Sequence, residues 1–148
     1  MPIPALNADG LLPAGLFDCT LPEVRARFGV FRSSDHRARL FARLEELALV
    51  MRSSGLFEAL IIDGSFITAK PVPNDIDIVA VLKSGHDFER DLPMSEYALV
   101  SRALLRRRFE FDVIVAEPDS LLYRTYVEFF GRVREVPDAR KGLLRLRL

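Results

Sequence analysis

Apolar residues recur every three or four positions between about Ser34 and Met51, which is the spacing of one face of an α-helix. Charged residues such as Arg37 and Arg43 fall elsewhere and are expected on the solvent side. Gly55 lies just past the end, where a glycine commonly terminates a helix. The pattern therefore predicts one amphipathic helix, whose apolar positions are Leu40, Phe41, Leu44, Leu47, Ala48 and Met51.

Two strand-length apolar runs follow this helix. The first extends from Phe57 to Asp63 and stops at Gly64. The second extends from Asp75 to Leu82, is rich in β-branched residues, and comes after the proline-bearing loop 70–74. These two runs predict the strands that form the core of a sheet.

The second half of the chain alternates between the two periodicities. A helix is predicted from about Ser95 to Arg107, a strand from Phe109 to Val115, and a helix that starts near Ser120 and reaches about Phe130. The last residues, 144–148, alternate strictly between leucine and arginine. That alternation predicts an edge strand with one face in solvent.

The order of these elements predicts a single domain, residues 1–148, of mixed α/β (α+β) class, with a mixed β-sheet packed against helices. The segment 1–32 contains four of the nine prolines and is interpreted as an extended N-terminal arm that wraps the core. The chain is long enough for one hydrophobic core but not for two independent ones.

Charge and hydropathy narrow the class of partners. The formal net charge is zero, which argues against a protein that grips long duplex DNA, because such binding depends on an excess of Lys and Arg. Residues 131–148 do hold six basic side chains against two acidic ones, which suits a solvated tail, a phosphate-rich ligand or an acidic partner. The longest apolar run is too short to span a bilayer and the first ten residues do not resemble a signal peptide, so no membrane is expected and the cytoplasm is the expected compartment.

Two carboxylates open the second predicted strand. Side chains alternate along a strand, so Asp75 and Asp77 are expected on one side while Ile76 and Ile78 enter the core. Like charges this close raise each other's proton affinity and destabilise the fold unless they are neutralised. A divalent cation is the simplest neutraliser.

A third carboxylate is expected from the strand at 109–115. Glu110 and Asp112 would share one face of that strand, and if it lies beside Asp75–Leu82, then Asp112 completes a cup of three acids, with Glu110 as the competing residue. Oxygen ligands alone favour hard ions, so the expected cofactor is Mg²⁺ or Mn²⁺, which take further ligands from substrate phosphates.

The motif formed by these residues resembles that of the polymerase-beta-like nucleotidyltransferase superfamily. The superfamily pattern is a hydrophobic residue before Gly-Ser, a gap of roughly ten residues, then Asp-hydrophobe-Asp, with one more acid on a later strand. Here it is matched by Gly64-Ser65, by Asp75 and Asp77, and by Asp112. The longer string from Asp63 to Asp77 is similar to a group of small stand-alone bacterial members, and the motifs cover roughly residues 55–115.

The resemblance implies a nucleotidyltransferase fold and a role for each matching residue. Asp75, Asp77 and Asp112 would hold the metal ions and be the catalytic acids. Gly64 and Ser65, at the start of a helix, would bind a phosphate of a nucleoside triphosphate. Many small members carry an Ala-Arg pair shortly after Gly-Ser, whereas this chain has Phe66-Ile67-Thr68-Ala69-Lys70. Lys70 is the candidate for the missing phosphate contact, and looser similarity near the C-terminus adds Lys141.

The function implied by the resemblance is Mg²⁺-dependent transfer of a nucleoside monophosphate from a triphosphate, such as ATP, to a hydroxyl. The acceptor is expected to be a protein side chain, an RNA end or a small molecule. Some small relatives are antitoxins that nucleotidylate a toxin and others are toxins that modify RNA, so a toxin-antitoxin setting is one expectation. The alternative is a non-catalytic protein that keeps the fold and acts through a protein-protein interface. A metal-dependent phosphodiesterase would use similar acids but would leave Gly64 and Ser65 unexplained.

Overall fold

A computed structural model describes residues 3–29, 35–133 and 136–148 of the chain. Its helices are α1 (Leu21–Val24), α2 (His36–Ser54), α3 (Met94–Val100), α4 (Arg102–Phe109) and α5 (Leu121–Phe130), with a π-helical turn at Arg25–Gly29 and a 3-10 turn at Ser65–Ile67. Its strands are β1 (Gly15–Cys19), β2 (Phe57–Asp63), β3 (Asp77–Leu82), β4 (Asp112–Ala116), β5 (Arg132–Val133), β6 (Val136–Arg140) and β7 (Gly142–Arg147). The protein is of mixed α+β class.

Five of the described strands form one mixed sheet in the order β1-β7-β2-β3-β4. The outer pairs, β1 with β7 and β3 with β4, are parallel, whereas β2 is antiparallel to both of its neighbours. Strands β5 and β6 form a separate antiparallel ribbon. The ends of β2 and the starts of β3 and β4 consequently lie at the same end of the sheet.

Both faces of the central strands β2 and β3 carry packed apolar side chains. On one face, alternate residues of the central strands, among them Ile62 and Ile78, pack against α2 and α4 in the larger core. On the other face, Ile61 and Val79 pack against Phe130 and neighbouring residues of α5. Apart from the exposed Glu58 and the acids at one end, β2, β3 and β4 are apolar on both faces, so a buried acid such as Asp63 at that end marks a position with another role.

Helix α2 confirms the predicted helix in the first half of the chain and corrects one assignment. It ends at Gly55, whose backbone is left-handed with φ of 71°, and its predicted apolar face is buried. Its predicted start at Ser34 lies outside the described residues. Arg37 was predicted to face solvent but is fully buried, and its position three and four residues before Leu40 and Phe41 places it on the buried stripe.

Two predictions about the chain ends were wrong. The arm at 1–32 does not merely wrap the core, because it supplies strand β1 and buries Leu12, Val24 and Phe28. The closing strand is not an edge strand, because β7 lies between β1 and β2. Its arginines face solvent as the alternation indicated, but both of its edges are paired.

The helix predicted at 95–107 and the strand predicted at 109–115 are displaced. Two helices replace the single one, because the backbone at Ser101 is extended and its hydroxyl accepts a hydrogen bond from the amide of Leu104, starting α4. Glu110 takes a left-handed conformation, with φ of 64°, and terminates α4. Strand β4 therefore begins at Asp112, so Glu110 does not share a strand face with it. No helix within the described ranges is long and apolar enough to cross a membrane.

Candidate active site

Three aspartates lie in one row across the end of the sheet. Asp63 is paired in register with Asp77 on the antiparallel neighbour, and Asp77 is paired in register with Asp112 on the parallel one. Residues paired in register project to the same face of a sheet, here the face covered by α5. Strand β4 lies beside β3, which is the condition under which Asp112 was expected to join Asp77, and Asp63 adds a further acid to the row.

Asp75 reaches the same region from the loop before β3. The strand was predicted to start at Asp75 but begins two residues later. The Asp75 carboxylate is held by Ser65, whose amide and hydroxyl donate to Oδ1 at 2.9 and 2.7 Å. The Ser65 hydroxyl oxygen in turn accepts from the amide of Asn74 at 3.0 Å. Burial acts to raise the pKa of Asp75, but the hydrogen bonds from Ser65 bring it below its usual range.

Gly64 makes this contact between the two loops possible. Its backbone has φ of 100°, which favours glycine, and a Cβ placed there would lie 2.6 Å from the carbonyl oxygen of Asp75. Ser65 opens a 3-10 turn of three residues rather than an α-helix. The predicted helix start at this position is therefore corrected to a 3-10 turn, and Gly64 and Ser65 fix the position of the first carboxylate.

The environment of Asp77 strongly disfavours its charged form. Burial raises its pKa to about 6, with further contributions from the neighbouring negative charges of Asp75, Asp63 and Asp112. Several neighbouring acids destabilise the charged form of this carboxyl. A bound cation would neutralise the repulsion. Perturbed groups of this kind concentrate in functional sites.

Asp63 and Lys141 form an ion pair beside this carboxyl. The Lys141 Nζ lies 2.9 Å from Asp63 Oδ1, and the two side chains are 20% and 6% exposed. Burial raises the pKa of Asp63, and the charge of Lys141 partly opposes that shift. The charge of Lys141 also contributes to the lowered pKa of Asp75 and partly opposes the rise in the pKa of Asp77. The predicted phosphate ligand Lys141 is therefore in the site.

Asp112 is engaged by an arginine. Arg102 donates from Nε to Oδ1 and from Nη2 to Oδ2, each at 2.8 Å. In the described part of the chain, no group of three or more His, Cys, Asp or Glu side chains is arranged to hold a metal ion. The predicted cup of three acids is thus incomplete as it stands, although Asp75 and Asp77 offer the oxygen donors that a hard divalent ion prefers.

A cleft of about 630 Å³ opens over these residues. Its walls include Asp63, Asp75 and Asp77 on the sheet side and Lys70 and Lys141 as cations. Lys70 is exposed, and its charge contributes to lowering the pKa of Asp75. The cleft also contains Gly64, Ser65, Thr68, Asn74, Phe129, Phe130 and Arg132. Six of the seven predicted site residues therefore line one cleft, and Asp112 lies in a neighbouring cavity of about 470 Å³.

Arg37 supports the loop that carries Lys70. The guanidinium is fully buried and donates to the carbonyl oxygens of Phe28 at 3.1 Å and Thr68 at 2.7 Å, and also to those of Phe66 and Lys70. Burial lowers its pKa to about 10. The segment after Ser65 has little regular structure of its own, so these hydrogen bonds from α2 define its course.

Sequence reasoning missed three residues of this region. Asp63 is the last residue of an apolar strand, and an acid at that place was a visible but unused signal. Arg37 had the helical spacing of a buried position but was assigned to solvent by its residue type. No sequence pattern indicated Arg102, because its partner Asp112 becomes a neighbour only in the folded chain.

Comparison with known proteins identifies a family but no function. A model of DUF6932, described as a family of unknown function, matches residues 4–147. No curated protein and no solved structure matches the chain.

Proposed function

Because the chain belongs to DUF6932, a family of unknown function, its activity has to be inferred from the site, and we propose that it is a metal-dependent nucleotidyltransferase of the polymerase-beta type. The reaction is transfer of a nucleoside monophosphate from a triphosphate to a hydroxyl group, with release of pyrophosphate. The proposal includes a nucleotidyltransferase fold for the mixed sheet and its helices.

One observation carries the proposal. The Gly64-Ser65 turn is hydrogen-bonded to the carboxylate of Asp75, and this unit lies beside the in-register acids Asp77 and Asp112. The spacing of these residues along the sequence is that of the superfamily motif. A functional motif requires these residues to meet at one end of the sheet. A chance match of the same residues along the sequence would give no reason for them to meet.

The residues fit Mg²⁺ or Mn²⁺ in part. Asp75 and Asp77 would hold the ion, and Asp112 would join them once it is released from Arg102. The raised pKa of Asp77 supports a site whose negative charge is neutralised by a ligand. When bound, the ion would neutralise the triphosphate and increase the acidity of the acceptor hydroxyl.

The residues of the chain itself position the triphosphate. Lys70 and Lys141 lie in the same cleft as the acids and supply positive charge for phosphate oxygens. The Asp63 carboxylate holds the Lys141 ammonium in the cleft. Catalysis then depends on alignment and on stabilisation of developing charge rather than on a covalent intermediate.

A second function has a specific observation in its favour. Arg102 donates to both carboxylate oxygens of Asp112, so this acid already has its partner within the protein. Such a pairing is expected in a non-catalytic protein that acts through an interface. The acidic row and the lysines of the cleft favour the enzyme. Burial and neighbouring acids disfavour the charged form of Asp77, and a protein that acts only through an interface has no need for such a carboxyl.

The two functions are separated by a transfer experiment. Purified protein is incubated with α-labelled nucleoside triphosphates, Mg²⁺ or Mn²⁺ and an extract that offers protein, RNA and small-molecule acceptors, including any toxin partner. The enzyme is expected to label an acceptor and release pyrophosphate, and the Asp75→Asn, Asp77→Asn double variant is expected to do neither. Labelling that persists in the double variant would contradict the assignment of the site.

A further inference from the structure

The Arg102 guanidinium occupies both oxygens of the third acid. Its Nε and Nη2 atoms lie 2.8 Å from Oδ1 and Oδ2 of Asp112. A carboxylate bonded in this way has no oxygen free of the arginine, whereas the role proposed for Asp112 requires at least one. Use of the site therefore requires that Arg102 exchange this partner for another.

Arg102 stands at an unfavourable place for a cation. It is the first residue of α4, and the amide groups at the start of a helix repel positive charge and attract negative charge. The side chain is 57% exposed, and that of Asp112 is 26% exposed. Because an exposed ion pair contributes little net stability, an incoming anion can replace Asp112 at small cost.

The surroundings indicate from where such an anion would come. Arg102 and Asp112 line the cavity of about 470 Å³ beside the main cleft. Asp77, Phe129 and Phe130 line both cavities, so the two cavities lie side by side. A molecule in the second cavity thus meets Arg102 next to Asp112 and Asp77, on the opposite side of Asp77 from Lys70 and Lys141.

Resting on the proposed function, we propose that Arg102 selects an acceptor that carries an anionic group, a phosphate or a carboxylate, close to its reactive hydroxyl. The anion takes the place of Asp112 in the bidentate contact with Arg102, and Asp112 becomes available to the metal ion. Both phosphates and carboxylates match the fork of the guanidinium. An acceptor without the anion leaves Asp112 paired.

The exchange couples the two ligands. If the anion frees Asp112, it raises the affinity of the site for the metal, and by linkage the metal raises the affinity for the anion. This coupling is measurable from metal binding alone, without turnover.

The first experiment measures Mn²⁺ binding by calorimetry to the wild type, Arg102→Gln and Arg107→Gln. Arg107 is an exposed arginine of the same helix, and the described residues provide no ion pair for it. Its variant removes the same charge without breaking an ion pair and is therefore the control. Arg102→Gln is expected to bind Mn²⁺ about two- to fivefold more tightly, the range set by an exposed ion pair. The control is expected to match the wild type. Adding Asp112→Asn to Arg102→Gln is expected to remove the gain, whereas a general effect of charge would persist.

The second arm repeats the titration in the presence of glycerol 2-phosphate, glycerate or glycerol. In the wild type, Mn²⁺ affinity is expected to rise with glycerol 2-phosphate if the anion is a phosphate, or with glycerate if it is a carboxylate, and not with glycerol. In Arg102→Gln none of the three is expected to change it.

The outcomes separate the two proposals. The role of Arg102 is overturned if the wild type and Arg102→Gln bind Mn²⁺ equally, or if both respond equally to the anions. Either result leaves the nucleotidyltransferase proposal in place. Absence of Mn²⁺ binding to the wild type and to every variant contradicts the proposed function itself, and the role of Arg102 with it.

Discussion

Asp77 and Asp112 are paired in register on neighbouring parallel strands, at the end of the sheet where both strands begin. Asp63 extends the row onto β2, and burial together with the neighbouring acids raises the pKa of Asp77 to about 6. Carboxylates so placed oppose folding. Arrangements that cost stability are common where function requires them.

The Gly64 backbone provides the first test of how the site is built. Gly64→Ala is expected to lower the free energy of unfolding by about 2 to 3 kcal/mol, because φ is 100° and the new Cβ would meet the Asp75 carbonyl. Gly55→Ala is the matched control, since Gly55 also has positive φ but has no atom within 4 Å of that Cβ. It is expected to lose about 1 kcal/mol. Urea unfolding of both variants measures the difference, and equal losses would contradict the close contact.

Arg37 provides a test of the buried support beneath Lys70. Arg37→Met is expected to lower the free energy of unfolding by about 3 kcal/mol or more, because several buried carbonyl oxygens lose their donor. Arg39 lies two positions along the same helix, is 67% exposed and pairs with Asp35. Arg39→Met is expected to change stability by no more than about 0.5 kcal/mol. Similar chemical-denaturation midpoints for the two variants would show that Arg37 does not hold the loop.

The sequence was sufficient for the local parts of this site. A strand-length apolar run predicted β2, and a run rich in β-branched residues predicted β3 with two residues too many at its start. The Gly64-Ser65 and Asp77 positions came from short motifs. These features depend on contacts between residues near one another along the chain. The sequence left the adjacency of β3 and β4 open as a condition for the acidic site, and the structure meets that condition.

Long-range pairing accounts for what was not predicted. The alternation of β7 indicates one polar face, but it cannot indicate whether a strand pairs on both edges, and β1 lies more than a hundred residues earlier. Arg102 approaches Asp112 only through the break at Ser101, where a capping hydroxyl ended an otherwise continuous helical pattern. The partner of Asp63 is Lys141, which is brought near by the antiparallel ribbon rather than by any local motif.

The pairing of β1 with β7 predicts a pH dependence. Arg145 donates to both carboxylate oxygens of Asp18, at 2.6 and 2.9 Å, and lowers its pKa below the usual range. An acid whose pKa is lower in the folded state contributes stability above about pH 4 and loses that contribution as the pH falls through the folded pKa. Asp18→Asn is therefore expected to melt below the wild type at pH 7 and to approach it at pH 3. Because the pair is exposed, the difference at pH 7 is expected to be about 0.5 kcal/mol, and a gap that persists unchanged at pH 3 would contradict the pairing.

Thermal denaturation of the wild type and Asp77→Asn, first in chelator and then with Mg²⁺ and a triphosphate, tests the central claim most directly. At pH 7, above the pKa of Asp77, the amide relieves repulsion. The variant in chelator is expected to melt at the wild-type temperature or higher, by roughly 2 to 4 °C for relief of about 1 kcal/mol. With ligand at a hundredfold excess over its dissociation constant, the wild type is expected to gain about 2.7 kcal/mol and the variant almost nothing. A variant that is clearly destabilised in chelator and yet responds to the ligand as the wild type does would contradict a metal and nucleotide site at Asp77.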